Sequence, residues 1–551
     1  MAGTPASSSR AAACSLAAVA AAAVVVTGVA LYMRDSKRSR RGAGGKESAG
    51  GVVESEGYPV SSVALSGCGE EEVDLEDFDV SAGTESTASG GVGEVKVGKR
   101  RRASVEGGRG REEAVGDVPG TQKVHVRTFG CSHNTSDGEF MMGQLAAYGY
   151  SLVDSLDDAD VVVLNSCTVK NPSQDAFMTL VKRAEGLQVP VVAAGCVPQA
   201  DRALPGLENV SVIGVTQIDR ITEVVEEALR GNIIRLLGKK KLPSLDLPKI
   251  RRNPFVEIIP LSTGCLGACT YCKTRHARGK LGSYASGEIL NRVQRAIAEG
   301  VQQIWLTSED TGAYGLDIGT DIVELLEKVV ESLPPHAMLR LGMTNPPYML
   351  KHAEALARIL QHDRVFEFLH VPVQSGSDPV LDAMKREYTV GDFDLLVGTL
   401  RKHAGDVTIA TDIICGFPGE TEEDHKASLE LIERHRFPIL NISQFYARPG
   451  TPAASMKRVH SREVKRRSRE VTQLFESYST NEGRVGKVYK VWFSETSSKS
   501  PHTVGHTKQF VKVLVDRDDS LLGQSRLVRV DAVSKWHLSA HVLQKPEVGS
   551  L

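Results

Sequence analysis

Cys265, Cys269 and Cys272 stand in a Cys-x3-Cys-x2-Cys loop within PLSTGCLGACTYCKTRHARG, with no fourth cysteine nearby. Thiolates at this spacing suit an iron–sulfur cluster. A purely electron-carrying 4Fe–4S centre is usually closed by four thiolates, whereas three leave one iron open to a small molecule. The competing reading is a zinc knuckle in which His276 completes a Cys3His site. The apolar run 256–261 just ahead of the loop suits a barrel strand better than a knuckle.

A second set of thiols is dispersed. From Lys123, strand-like and helix-like segments alternate: KVHVRTFGC, a helix near 137–148, DVVVLNSC, a helix near 172–185, then PVVAAGC. This is the grammar of a doubly wound parallel sheet. Each strand ends in a cysteine, Cys131, Cys167 and Cys196, and open parallel sheets bind ligands beyond the carboxyl ends of their strands. One such cysteine would be core by default. Three at the same phase of the repeat point to a second metal cluster, with zinc the competitor.

Other elements must carry these loops. Beyond a basic, proline-bearing joint at 238–253, strands are expected near 256–260, 303–307, 338–342, 366–371, 408–414 and 441–445, each but the last followed by a helix. Six such units make a partial parallel barrel with its site on the loops after the strands. The Cys265 loop follows the first strand. The same rim gathers Ser308, Glu309 and Asp310 after the second strand, Arg340 and Asn345 on or after the third, Gln374 and Ser375 after the fourth, and Gly416 in GFPGE after the fifth. From about residue 483 short β segments predominate, which predicts a small antiparallel barrel of a kind that often binds single-stranded nucleic acid. Tyr489, Trp492 and Phe510 would be either stacking platforms or barrel core.

The chain has 551 residues, enough for several domains, and a net charge of -2 that hides segregation. Residues 51–80 hold nine acidic and no basic side chains, whereas 457–469 hold seven basic ones and one acid, Glu463. The basic run reads as a polyanion patch or a solvated helix face. Nine cysteines are too few for a disulfide scaffold in a chain this long and fit a reducing compartment. Cys14, Cys68 and Cys415 are assigned no function. Residues 11–33 are apolar or small over the length of a membrane span, and the basic flank RDSKRSRR places the rest of the chain in the cytosol. An organellar transit peptide is the alternative. Residues 34–120 read as a disordered tether, and the basic run 99–102 within it carries no assignment.

Cys-x3-Cys-x2-Cys on a first barrel strand resembles the radical S-adenosylmethionine (SAM) superfamily. Three dispersed cysteines, this barrel and a terminal β-barrel similar to the TRAM RNA-binding domain together resemble the methylthiotransferase family. FGCSHNTSDGEFM, LNSCTVKNP, AGCVPQA, TGCLGACTYCKTRHARG, WLTSEDTGAYG, RLGMTNPPY and TDIICGFPGET resemble its eukaryotic and archaeal branch acting on threonylcarbamoyladenosine in tRNA, KTRHARG being the most specific tract. The resemblance covers roughly residues 122–545.

It implies a radical SAM enzyme that converts N6-threonylcarbamoyladenosine at position 37, beside the anticodon, to its 2-methylthio derivative, using SAM and two 4Fe–4S clusters. Cys265, Cys269 and Cys272 are expected to hold the SAM-cleaving cluster, and Cys131, Cys167 and Cys196 an auxiliary cluster that carries sulfur. Ser308, Glu309, Asp310, Arg340, Gln374 and Gly416 are expected to contact SAM. The partners implied are the tRNA anticodon loop, an electron donor and a sulfur source, with the protein a monomer. The domains expected are a hydrophobic anchor at 1–33, the tether at 34–120, an auxiliary-cluster domain at 121–237, the linker at 238–253, a radical SAM domain at 254–480 and a TRAM-like domain at 481–545. The anchor implies the cytosolic face of a membrane, the endoplasmic reticulum first. Two rivals remain: methylthiolation of a protein side chain, and an iron–sulfur or zinc RNA-binding sensor without turnover.

Overall fold

The computed structural model describes residues 98–99, 120–168, 171–498 and 500–543. The run 11–33, the acidic stretch 51–80, Cys14 and Cys68 lie outside the described residues. The expected membrane placement is corrected. No helix among the described residues is long and apolar enough to cross a membrane; the longest has 17 residues and is broken by polar positions, where a span needs about 20 apolar ones. A spanning anchor, a membrane partner and attachment to the endoplasmic reticulum therefore have no support in the fold.

The first sheet is six parallel strands: β1 (Lys123–Thr128), β2 (Ser151–Leu152), β3 (Val161–Ser166), β4 (Val191–Gly195), β5 (Ser211–Ile213) and β6 (Arg235–Leu236). They lie in the order β2-β1-β3-β4-β5-β6. β3 (VVVLNS) and β4 (VVAAG) are buried at every position, as central parallel strands covered on both faces must be. The chain leaves β1 for one side and returns to the other, so the topological switch point falls between β1 and β3. Helices α1 (Ser132–Tyr148), α2 (Asn171–Gly186) and α3 (Ile221–Leu229) cover the sheet.

The second layer holds parallel strands β7 (Val256–Pro260), β8 (Gln303–Thr307), β9 (Met338–Leu341), β10 (Phe368–His370), β11 (Thr408–Cys415) and β12 (Ile439–Gln444). They form two three-stranded sheets, β9-β8-β7 and β10-β11-β12. A parallel bridge between Leu339 and Val365 joins them into the partial barrel that the alternation predicts. Among its helices are α4 (Thr274–Arg278), α5 (Ser286–Ala298), α6 (Ile322–Ser332), α7 (Ala353–Gln361), α8 (Val390–Ala404), α9 (Glu422–His435) and α10 (Ser461–Glu476). Asp321 caps α6 through the amides of Val323 and Glu324, and Thr421 caps α9 in a capping box with Asp424.

The alternation of strands and helices does not predict α10 after the last strand. Its buried Val464, Val471 and Phe475 keep helical spacing, but the density of Arg and Lys between them masks the period. Two of those arginines are already spent: Arg466 pairs with Glu422, Glu463 and Glu470, and buried Arg467 with Glu420 at 2.7 Å. Lys457, Arg458, Arg462, Lys465 and Arg469 stay exposed.

The C-terminal segment closes into a five-stranded barrel, β13 (Val488–Thr496), β14 (His502–Thr507), β15 (Lys512–Asp516), β16 (Gln524–Val533) and β17 (Leu538–Val542), in the order β13-β14-β15-β17-β16. All pairs are antiparallel except β15 with β17. It docks on the strands of the partial barrel through aromatic rings. Phe510 packs 4.9 Å from Phe366, 5.3 Å from Phe368 and 5.9 Å from Trp305, and Trp492 meets Phe366 at 5.7 Å. Trp492 and Phe510 are thus docking residues. Tyr489 packs partly buried against the barrel core.

Residues 238–253 do more than connect. The backbone passes so close to α1 that a Cβ on Gly143 would lie 2.3 Å from the Pro248 carbonyl oxygen. Lys249, 1% exposed at its side chain, then reaches Glu257 on β7 at 2.9 Å and Glu139 on α1 at 3.1 Å. Arg251 and Arg292 of α5 also grip Glu257, the latter at 2.9 Å. Burial opposes ionisation of Glu257, but Lys249, Arg292 and Arg251 outweigh it and hold the carboxyl at about 2.

Glu257→Gln leaves three cations facing a neutral amide in a dry site, a loss of about 3–5 kcal/mol. We expect a correspondingly lower urea midpoint. The folded carboxyl titrates at about 2 against an ordinary value of 4.5. The gap between parent and variant is therefore complete above the unfolded pKa and narrows as pH falls through that window. Equal midpoints at pH 7 contradict the assignment.

Candidate active site

The Cys265 loop leaves β7 and is closed at its neck. Strand Ser262–Thr263 pairs antiparallel with Gly282–Ser283, and the Cys265 amide donates to the Gly279 carbonyl at 3.2 Å. The far side is pinned by Thr270, whose amide and hydroxyl donate to the carbonyls of Met384 and Ala383, both at 2.9 Å. Cys131 sits at the N-cap of α1, Cys167 directly follows β3, and Cys196 opens a short helix after β4. These three strands are neighbours across the switch point. Gly130 has φ of 103°, and a Cβ there would lie 2.1 Å from that of Cys167, so only glycine lets the two loops approach.

All six cysteines line one solvent-open cavity between the sheet and the barrel. Burial raises the Cys196 thiol to about 12 and pushes Cys265 up as well. Such thiols keep their protons until a metal replaces them. The Cys3His zinc site would need His276 at the cavity beside the three thiols. No group of three or more His, Cys, Asp or Glu among the described residues is gathered to hold a metal ion, and His276 does not line the cavity. The donor set is all thiol, and a Cβ on Gly267 would sit 3.6 Å and 3.7 Å from the sulfurs of Cys265 and Cys269. Two sets of three thiols, each without a fourth, are the donor chemistry of 4Fe–4S clusters that keep one iron open.

Arg278, six residues beyond Cys272 in the KTRHARG tract, ties the two loops together. Its guanidinium donates to Asn134 Oδ1 at 2.8 Å, pairs with Asp137 at 2.7 Å and reaches Glu309 at 3.0 Å. The Asn134 oxygen also faces the sulfurs of Cys196 at 3.5 Å and Cys131 at 3.8 Å. Its amide nitrogen donates to the carbonyls of Phe129 and Ser166, the ends of β1 and β3. His133 completes the cluster, 3.0 Å from Glu309. Burial opposes ionisation of Glu309, but His133 and Arg278 prevail and lower its pKa.

A second network lies on the barrel rim. Asp310 accepts from the Asn345 side chain at 2.8 Å and from the amides of Asn345 and Gly312, both at 3.1 Å. Burial nevertheless raises its pKa to about 6. Arg386 donates to Asn345 Oδ1 at 2.5 Å, to the Cys269 sulfur at 3.5 Å and to the Tyr388 hydroxyl at 3.1 Å.

Of the residues expected to contact SAM, Glu309, Asp310 and Gln374 line the cavity, with Gln374 in the left-handed region at φ 70°. Ser308, Arg340 and Gly416 do not line it. The Ser308 hydroxyl accepts from the Asp310 amide at 3.0 Å and shapes the turn. Arg340, in register with Trp305, lies 4.6–4.7 Å from the ring centroids of Trp305, Phe368 and Phe510. It serves the docking of the C-terminal barrel. A Cβ on Gly416 would strike Val464 of α10 at 2.4 Å. Ser375 accepts from the Ser377 amide in a turn, and Cys415 is buried away from the cavity. Sequence reasoning singles out neither Arg278 nor Arg386, though the first stands in the tract marked as most specific.

Residues 123–211 match a family described as Uncharacterized protein family UPF0004, and residues 259–432 match the Radical SAM superfamily. A threonylcarbamoyladenosine tRNA methylthiotransferase from Xenopus laevis is 52% identical over 78% of this chain and 78% of its own. The Homo sapiens protein of that name is 52% identical over 75% of this chain and 72% of its own. A probable member from Pyrococcus abyssi is 36% identical over 76% of this chain and 99% of its own. With identity at this level and coverage above two thirds of each relative, the chain belongs to the threonylcarbamoyladenosine tRNA methylthiotransferase family.

Proposed function

We propose that this protein is a radical SAM methylthiotransferase that converts N6-threonylcarbamoyladenosine in tRNA to its 2-methylthio derivative, with two 4Fe–4S clusters and SAM. The observation that carries the reading is the convergence of two cysteine triplets, from separate layers of the fold, on one cavity. Radical generation and sulfur delivery must meet at one carbon, and a misplacement of about 1 Å can cost a hundredfold in rate.

In this reading Cys265, Cys269 and Cys272 hold the SAM-cleaving cluster, and Cys131, Cys167 and Cys196 hold the auxiliary one. When bound, these groups and SAM supply the radical, the methyl group and the sulfur. The chain's own residues do the positioning. Arg386 steadies the Cys269 sulfur while fixing Asn345 and Asp310 on the rim, where SAM would lie with Glu309 and Gln374. Asn134 ties the ends of β1 and β3 to Arg278, which holds the loops of Cys131 and Cys196 in register with the barrel, so that both triplets address one space. The target base must leave its stack in the anticodon loop, where extrusion is cheapest. The exposed basic residues of α10 and the C-terminal barrel would grip the RNA, with salt-sensitive affinity. An external electron donor and a source of replacement sulfur complete the cycle, and a monomer suffices.

Protein isolated without oxygen should be brown and bind about eight irons. Replacing Cys131, Cys167 and Cys196 with Ala should halve the iron and abolish methylthiolation while SAM cleavage persists; colourless protein carrying zinc contradicts the reading. Mass spectrometry of tRNA nucleosides from cells lacking the gene should show loss of the 2-methylthio derivative; undiminished product without a second source of the activity refutes the substrate.

Arg278→Gln is expected to keep both clusters and SAM cleavage but to lower, about tenfold or more, the methylthiolated product formed per SAM cleaved. An unchanged ratio in protein with full iron removes Arg278 from the positioning role.

A further inference from the structure

Of the three cations that line the cavity among the described residues, two are committed to neighbours. Arg278 answers Asp137 and Glu309, and Arg386 is taken up by Asn345, the Pro372 carbonyl, Tyr388 and Cys269. Lys385 is the third. It is exposed, and among the described residues its ammonium has no ion pair or hydrogen-bond partner.

Its backbone adds a second, independent observation. Lys385 follows the helix Asp378–Ala383 with φ of 54°. Its amide donates to the Asp382 carbonyl at 2.8 Å, and that of Arg386 to the Leu381 carbonyl at 2.9 Å. This paired pattern is the Schellman ending, whose left-handed position ordinarily takes glycine or asparagine because other residues are strained there. The chain places a long cation at a position where local structure favours glycine or asparagine. Strain of this kind persists where the surroundings over-determine it, and it clusters at ligand-binding sites.

We propose that Lys385 is a specificity-determining residue that pairs with the carboxylate of the threonylcarbamoyl arm. The inference rests on the function proposed above. A threonine joined through its nitrogen to a carbamoyl group keeps its α-carboxylate, so the target base carries an anion that an unmodified adenosine lacks. The other carboxylates on the cavity wall are Glu309, Asp310 and Glu387. Glu309 is answered by His133 and Arg278 and Asp310 by Asn345, while Glu387 is exposed two residues from Lys385. A carboxylate also sits on SAM, so the two sources must be separated by the test.

The test uses the two-cluster protein prepared without oxygen, with Lys385→Gly, which relieves the left-handed strain, and Lys385→Arg, which keeps the charge. Affinity is measured for tRNA bearing threonylcarbamoyladenosine, for the same transcript unmodified, and for SAM alone. Lys385→Gly should unfold no earlier than the parent, yet lose about tenfold or more in affinity for the modified tRNA only; Lys385→Arg should restore most of it, and SAM affinity should not move. If the parent discriminates between the two tRNAs and Lys385→Gly discriminates equally, Lys385 is not the reader and the substrate assignment stands. If SAM affinity falls instead, the cation belongs to SAM and the proposal is overturned. A parent that shows no preference for the modified tRNA overturns the substrate assignment and this inference together.

Discussion

One buried carboxylate holds the working parts in register. Glu257 is on the first barrel strand, fully buried, and its three cationic partners come from the joining segment and from α5. Through Lys249 it also reaches Glu139 on α1, the helix that starts at Cys131. The strand carrying Glu257 runs into the Cys265 loop. A single cluster of charges therefore fixes the two elements from which the cysteine loops spring. Such a cluster adds little net stability compared with a well-packed apolar core, but leaving it half complete is very costly. Its contribution is to make one relative placement of sheet and barrel far better than its neighbours.

The site repeats this logic nearer the sulfurs. Arg278 does for the loops what Lys249 does for the layers, because it is also shared between α1 and the barrel. The two networks use neighbouring positions on α1: Asn134 and Asp137 meet Arg278, and Glu139 meets Lys249 of the joining segment. This explains why a helix so rich in buried polar side chains is stable, since each of these three has a partner from another element.

Much of this architecture is legible in the sequence. The parallel strands announce themselves as VVVLNS, VVAAG and VEIIP, because a strand covered on both faces leaves no room for polar alternation. Cys131, Cys167 and Cys196 are legible because each stands where a strand gives way to a loop, and Cys265, Cys269 and Cys272 by their mutual spacing. Long-range pairings are not. Lys249 and Arg251 read as linker charge, since nothing local distinguishes a solvated lysine from one that crosses to a carboxylate on another element. α10 is legible only as a solvated helix face, because its arginines mask the period of its buried positions. Arg340 reads as a rim residue because alternation along a strand gives two faces without saying which is the inside; here the guanidinium faces Phe510. Trp492 and Phe510 read equally as platform or packing, and only the neighbouring sheet decides between them.

The aromatic junction has a consequence for how a large substrate is measured. A desolvated guanidinium among three rings is worth about 2 kcal/mol or more per good contact, and Lys508 adds bonds to the carbonyls of Leu360 and His362 across the same boundary. The small barrel is therefore bolted to the catalytic sheet rather than tethered to it. If the tRNA of the function proposed above spans the two, it meets them at one fixed separation, as against a ruler, and a stem too long or wrongly twisted would be turned away before its bases were read.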